Sequence, residues 1–528
     1  MKTALKTMIL GLAVFLLTRP ALADPYKDAV AAYTHRNYTL ALQLWRASAD
    51  QGNAAARYNL GVLYDNGEGV PRNTAEAERL YRMAAEQGLA DAQYKLGSLY
   101  DRGQNRPQDD AEALKWYRLA ADQGFALAEH SVGLAYDNAR GIRRDVAEAA
   151  KWYRLAAEQG LARSQAGLGV MYETGRGVPL DFAEAAAWHQ RAASQGNAVA
   201  QSHLGVLYDK GLGVVQDFSK ALKWYRSSTG KDDAVAQNNL GALYEAGKGV
   251  PQDYKEALRW YQLAAGQSYV PAQMNLGRMY EAGHGVAPDA SAAAKWFQLA
   301  SGQAYAPAQY SLGRMSAEGR GLPQNHAEAA RWYRLAAVQG HALAQYELGL
   351  CYESGQGIAQ DYANAAKWYR LAAEQGHAAA QFRLGVSYDN GQGVAQDYAE
   401  AIKWYRVAVA QGDAAAQNNL GSMYEYGLGV PQDYVEAVKW YTLGADQGYA
   451  KAQYNLGLMY ANGRGVPPDF VLAHQWLDLA IEARPALAPK DMDDAIANRD
   501  PIEARLTPEE LTQAQRLKKE WLAAHPRT

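Results

Sequence analysis

The chain has 528 residues, 48% of them apolar and 21% charged, a composition that excludes intrinsic disorder. Lys plus Arg number 53 and Asp plus Glu 56, for a net charge of -3, so there is no electrostatic footprint for nucleic acid. A single cysteine, Cys351, excludes an intramolecular disulfide framework and a cysteine-based zinc cluster.

The chain opens with a positive start, Lys2 and Lys6, and a ten-residue apolar run, Met8 to Leu17. That run is too short for the roughly 20 residues of a bilayer span. Ala21-Leu22-Ala23 then places small residues at the two positions a signal peptidase reads. Residues 1–23 therefore read as a secretory signal cut after Ala23, and the mature chain is expected to be periplasmic or secreted. No cysteine follows the run to carry a lipid, and no later segment is apolar enough to span. Residues 24–52 follow as a short N-terminal helical hairpin: Ala29, Ala32 and Tyr33, a turn at Arg36-Asn37, then Ala41, Leu44 and Trp45.

One period organises residues 53–484. Trp116, Trp152, Trp188 and on to Trp476 stand 36 residues apart, as do Gly61, Gly97 and on to Gly457, and Ala77, Ala113 and on to Ala473. A fixed interval of this size signals a solenoid of stacked units. In the copy from Gly412 to Gly448, Ala416, Leu420, Gly421 and Tyr424 form an apolar stripe on a first helix, A. Gly427-Leu428-Gly429-Val430-Pro431 breaks it. Asp433 then reads as the N-cap of a second helix, B, with Glu436 as its reciprocal capping-box partner. Ala437, Trp440, Tyr441 and Gly444 share the buried face of helix B, with Trp440 expected in the core, and Gly448 suits a left-handed terminus. Neither helix can bury its stripe alone; stacking buries it.

The pattern A-x-x-x-L-G-x-x-Y-x-x-G-x-G-V-x-x-D followed by A-x-x-W-Y-x-x-A-A-x-Q-G resembles the Sel-1-like repeat, a relative of the tetratricopeptide repeat. In the last copy Ala452, Leu456, Gly457, Tyr460, Gly463, Gly465, Val466, Asp469, Ala473 and Trp476 carry the match. The resemblance implies an all-α fold: a right-handed superhelical α-solenoid of antiparallel helix pairs, with about twelve 36-residue repeats between helical caps. It also implies a scaffold or adaptor for protein partners, often exported in bacteria. After the repeats, residues 485–528 read as a linker, with Pro485 and Pro489 as stops, and a capping helix begun by Thr507-Pro508-Glu509-Glu510. Leu511, Ala514, Leu517 and Trp521 face inward on that helix, and Lys518, Lys519 and Glu520 outward.

Motifs that suggest chemistry are weak. The G-x-G loops lack the preceding strand and third glycine of a phosphate cradle, and read as positive-φ loop geometry. Ser228-Thr229-Gly230-Lys231 matches S-x-x-K, and some cysteine-rich members of the resembled family are associated with β-lactam binding. The paired cysteines and the S-D-N and K-T-G elements are absent here, so the stretch reads as a degenerate repeat end. Ser227 there replaces a packing Leu and Asp232 a terminal Gly, which predicts a looser joint over 226–234. The ten histidines show no metal-binding spacing; His189 takes a Tyr position, and His130 and His203 lie on helix A. Cys351 reads as an inert, partly packed thiol. No metal and no cofactor is expected.

Three columns of helix A could meet a partner. The residue after the Tyr is acidic in ten of twelve copies, from Asp65 to Glu425. It forms either an inward acidic ribbon or a solvated helix end, with backbone amides of the G-x-G loop as candidate donors. The residue two before the Leu-Gly leucine is Tyr310, Tyr346, Phe382 and Tyr454 in later copies. With Arg278 and Arg314 these mark either a partner-binding groove or packing between helices. The expected function is an exported, non-catalytic scaffold binding a protein or peptide of the envelope, periplasm or host. A cell-wall or β-lactam hydrolase and a structural spacer are the alternatives.

Overall fold

The computed structural model describes residues 24–103, 107–230, 233–483 and 487–525. The expected signal segment, Lys231, Asp232 and Pro485 lie outside the described residues. Among the described residues every regular element is helical, 28 helices in sequence, and the chain divides into two compact units, Met1–Trp260 and Tyr261–Thr528. Within each unit, consecutive helices pack as antiparallel pairs along an α-solenoid.

The repeat 414–449 shows how the sequence sets the pair. Helix A runs Ala414–Tyr426 and helix B Tyr434–Asp446. Gly427, at φ +69°, ends helix A in the left-handed region, where a side chain costs about 1–2 kcal/mol. Asp433 then accepts from the Glu436 amide at 3.0 Å, a cap worth about 1 kcal/mol. The reciprocal half of the expected box does not form. Glu436 pairs with Lys439, as Glu76 does with Arg79 at 2.7 Å and Glu148 with Lys151 at 2.8 Å. The cap amide is already engaged, since Asp433 N–H donates to the Tyr424 carbonyl at 2.9 Å and Asp145 N–H to that of Tyr136 at 3.1 Å, so the glutamate is left to the cation. Thr507 and Glu510 do close a full capping box at the last helix.

The core belongs to Ala, Leu and Tyr. Tyr441 is fully buried, and a Cβ on Gly421 would lie 2.7 Å from its ring. The missing side chain of helix A is therefore the seat of the helix B tyrosine. Tyr369, Tyr405 and Tyr225 sit the same way over Gly349, Gly385 and Gly205. This corrects the expectation for Trp440, which is only partly buried at the edge of a neighbouring cluster. Trp116, Trp188 and Trp476 alone of the period-36 tryptophans are classed with the buried core.

A glutamine ladder joins repeats. Gln447 donates to Gln417 at 2.8 Å, Gln411 to Gln381 at 2.7 Å, and Gln195 to Gln165 at 2.8 Å. Gln381 and Gln165 in turn donate to the carbonyls of Ala373 and Ala157. The amides of Gln381 and Gln165 thus have partners on both sides, as burial of a polar group requires.

At the N-terminus, helices Pro25–Thr34 and Tyr38–Asp50 pair about buried Ala29, Ala41 and Trp45, with Asn37 capping the second. At the C-terminus, the stretch read as a linker holds a further helix, Pro489–Glu503, followed by Pro508–Ala524. Pro489 occupies the first turn, where its missing amide costs nothing. Lys518 does not face outward: it pairs with Asp478 at 2.7 Å and Glu482 at 2.6 Å. The basis for a looser joint at 226–234 also changes. Ser227 is exposed, and so are its counterparts Leu155, Leu263 and Leu335, so no packing leucine is lost.

Candidate functional site

The acidic column of helix A is neutralised by side chains, not by loop amides. Glu425 accepts from the Tyr441 hydroxyl at 2.7 Å and pairs with Arg464 at 3.4 Å. Asp65 pairs with Lys95 at 3.1 Å, Asp101 with Arg140 at 3.0 Å and Glu353 with Arg383 at 3.0 Å. The partners recur at fixed offsets: a tyrosine 16 residues on, and a cation 30 or 39 residues on. The column is thus a row of ties between helix A, its own helix B and the next repeat, and not an acidic ribbon.

The aromatic column is half-buried. Tyr310 leans on Tyr333 at a ring separation of 6.0 Å and stacks on His341 at 5.0 Å. Tyr346 does the same with Tyr369 and His377, at 6.0 and 4.6 Å, and Phe382 leans on Tyr405 at 6.0 Å. Arg314 is tied to Glu281 at 2.5 Å, while Arg278 is exposed on its helix.

The column ends at a groove of about 710 Å³ around Tyr454. Helix Ala414–Tyr426 contributes Asn418, Asn419 and Tyr426; helix Ala450–Asn462 contributes Lys451, Tyr454 and Asn455; Asp491 lies on the far wall. Asn455 donates to Asn418 at 2.9 Å, Asn418 to Asn419 at 3.2 Å and Asn419 to the Tyr405 hydroxyl at 3.1 Å. Lys451 meets Asp491 at 2.6 Å and lies 5.2 Å above the Tyr454 ring. Tyr426 is 64% exposed. A preset run of amides flanked by tyrosines can hydrogen-bond an extended backbone and pack its side chains. Of the sequence-predicted residues, only Tyr454 lines this groove. The three asparagines of its floor occupy two columns whose identity changes from copy to copy, which was the available signal.

Elsewhere, Ser228 is buried, with its hydroxyl 3.0 Å from the Ala198 carbonyl and 2.5 Å from Asp233. It stitches a repeat joint. Burial pushes the Cys351 thiol up to about 11, so it is protonated and weakly nucleophilic near neutrality. In contrast to the sequence reading of scattered histidines, Glu173, His189 and His203 converge. His203 Nδ1 lies 2.7 Å from one carboxylate oxygen and His189 Nε2 3.1 Å from the other. The two rings stack at 5.0 Å and 16°.

Helix pairs, left-handed glycine caps and the tyrosine-on-glycine seat define the class: a two-helix repeat solenoid. The family model of the Sel1 repeat matches thirteen consecutive segments between residues 33 and 484, and the chain belongs to the Sel1 repeat family. The crystal structure of c5321, a protective antigen of uropathogenic Escherichia coli strains with an SLR fold, is 35% identical. The match covers 84% of this chain and 94% of that one, with a TM-score of 0.68. A Sel1 repeat protein from Oxalobacter formigenes is 34% identical over 59% of this chain and 90% of that one, with a TM-score of 0.50. No curated protein matches.

Proposed function

We propose that the protein is an exported, non-catalytic scaffold that holds an extended peptide segment of a partner protein in the groove around Tyr454. The observation that carries this is the hydrogen-bonded run Asn455, Asn418, Asn419 set between Tyr426 and Tyr454 in a concavity of about 710 Å³. Membership of a scaffold family supports it. The free edges of Tyr310, Tyr346 and Phe382, with Arg278 and Arg314, extend the recognition surface along the same column. Export rests on the sequence of residues 1–23, and mass spectrometry of the mature chain should find Asp24 at its start. The partner would be a protein of the envelope, periplasm or host.

The test is selection of a random peptide library on the mature chain. A consensus peptide should emerge. The pair Tyr454→Ala and Asn455→Ala should weaken it at least tenfold, about 1.4 kcal/mol. No enrichment, or an affinity that groove substitutions leave unchanged, would overturn the reading.

A further inference from the structure

We propose that Glu173, His189 and His203 bind one divalent transition-metal ion of the zinc class and thereby clamp the joint between the repeats 162–197 and 198–232. Glu173 lies on helix A and His189 on helix B of the first repeat, and His203 on helix A of the second. An ion held by all three would fix three helices at once.

The site arises where the repeat's own rule is broken three times. Sixteen residues after the acidic position other copies carry a tyrosine that donates to the carboxylate; here it is His189. Thirty residues after it stand Lys95 and Arg383 in paired joints; here it is His203. Thirty-nine residues after it stand Arg140, Arg176, Arg320 and Arg464; here it is Leu212. Glu173 thus keeps its carboxylate while each fixed cation at those offsets is gone; one imidazole stands at the tyrosine position and one at a cation position. Glutamate and two histidines are a zinc ligand set, completed in open sites by water.

Only one arm of the cluster is a hydrogen bond, His203 Nδ1 to Glu173 Oε2 at 2.7 Å. The His189 side chain is fully buried, yet neither ring nitrogen has a hydrogen-bond partner among the described residues, and neither does Glu173 Oε1. Those two atoms face each other at 3.1 Å without hydrogen-bond alignment. Two buried polar atoms in that relation are costly unless something binds both. Zinc bonds of about 2.0–2.2 Å set tetrahedral ligand separations of roughly 3.3 Å. The 2.7 and 3.1 Å carboxylate distances both fall below that value, so an ion would spread the three side chains slightly, and all three donor atoms lie within 4.8 Å of one another. The His189 ring has room because it lies on Gly169, where a Cβ would be 2.6 Å from it. The His203 side chain is 35% exposed, which gives the ion an entry path and a place for a water ligand.

The test uses the full mature chain with ZnCl2 and, as a spectroscopic probe, CoCl2. One ion per chain should bind with micromolar or tighter Kd, Co2+ should show the intense visible bands of tetrahedral coordination, and the thermal transition should rise with Zn2+. The pair His189→Tyr and His203→Asn rebuilds the joint at Asp389, which has Leu428 at the same offset as Leu212 and is accompanied by Tyr405 and Asn419. It should fold like the wild type by circular dichroism and bind at least 100-fold more weakly. Glu173→Gln, which keeps both histidines, gives a second reading if the pair does not fold. Absence of binding by a folded wild-type chain, or affinity and Co2+ bands that survive in either variant, would overturn the proposal.

Discussion

At the scale of single residues, the tyrosine of helix B outweighs its more conspicuous tryptophan neighbour. Tyr441 is fully buried over Gly421, whereas Trp440 keeps an exposed edge. Tyr441→Ala should cost about 3–5 kcal/mol and Trp440→Ala clearly less, as read from denaturant midpoints; the reverse order would contradict the packing described. Ala139 occupies the left-handed cap that glycine holds in neighbouring copies, at φ +58°. Ala139→Gly should therefore stabilise the chain by about 1 kcal/mol. His130 carries a pH dependence. Burial, with Arg163 adding to it, pushes its imidazole down to about 4, and its Nδ1 lies 2.8 Å from Ser164 Oγ. On acidification the unfolded chain takes up this proton first. The contribution is complete above pH 6.5 and is lost as pH falls through 4, to a limit of about 3 kcal/mol. Urea midpoints for wild type and His130→Tyr, the residue at position 94, should converge or cross over that window; parallel curves would refute it.

At the scale of elements, the caps and turns were legible because each is local. Asp433 stands before its helix and Gly427 after the preceding one, whatever the rest of the fold does. The helix Pro489–Glu503 was not legible: Pro489 read as a stop, Pro501 lies inside it, and only Ala495 and Ile502 are buried along it. Its place depends on tertiary contacts that no local pattern records. The same holds for Lys518, whose position among polar neighbours hides its ion pairs with Asp478 and Glu482. Both Lys518 and Asp478 are mostly buried, so Lys518→Ala strands a carboxylate. Amides of the helix Pro508–Ala524 should then exchange faster while those of helix Ala414–Tyr426 do not change. Unaltered exchange in the last helix would show that its apolar face alone holds it.

At the scale of the whole molecule, periodicity reveals which residues share a column but not which columns face each other. The offsets of 16, 30 and 39 that tie carboxylates to their partners depend on how one helix pair turns relative to the next. That is why Glu173, His189 and His203 looked scattered in the sequence, and why the acidic column admitted two readings. The groove was half legible. Tyr454 belongs to a column singled out from the sequence, but the concavity is completed by Asp491 and by asparagines that only the fold brings together. Stability in such an array is nearly a sum of repeats and their interfaces, which leaves exposed columns free to take on recognition. The most direct measurement of that claim is hydrogen exchange on the mature chain with a selected peptide bound. New protection should centre on helices 414–426 and 450–462 and the wall at 487–491, whereas protection confined to the exposed Leu263 and Leu335 face, or none at all, would contradict it.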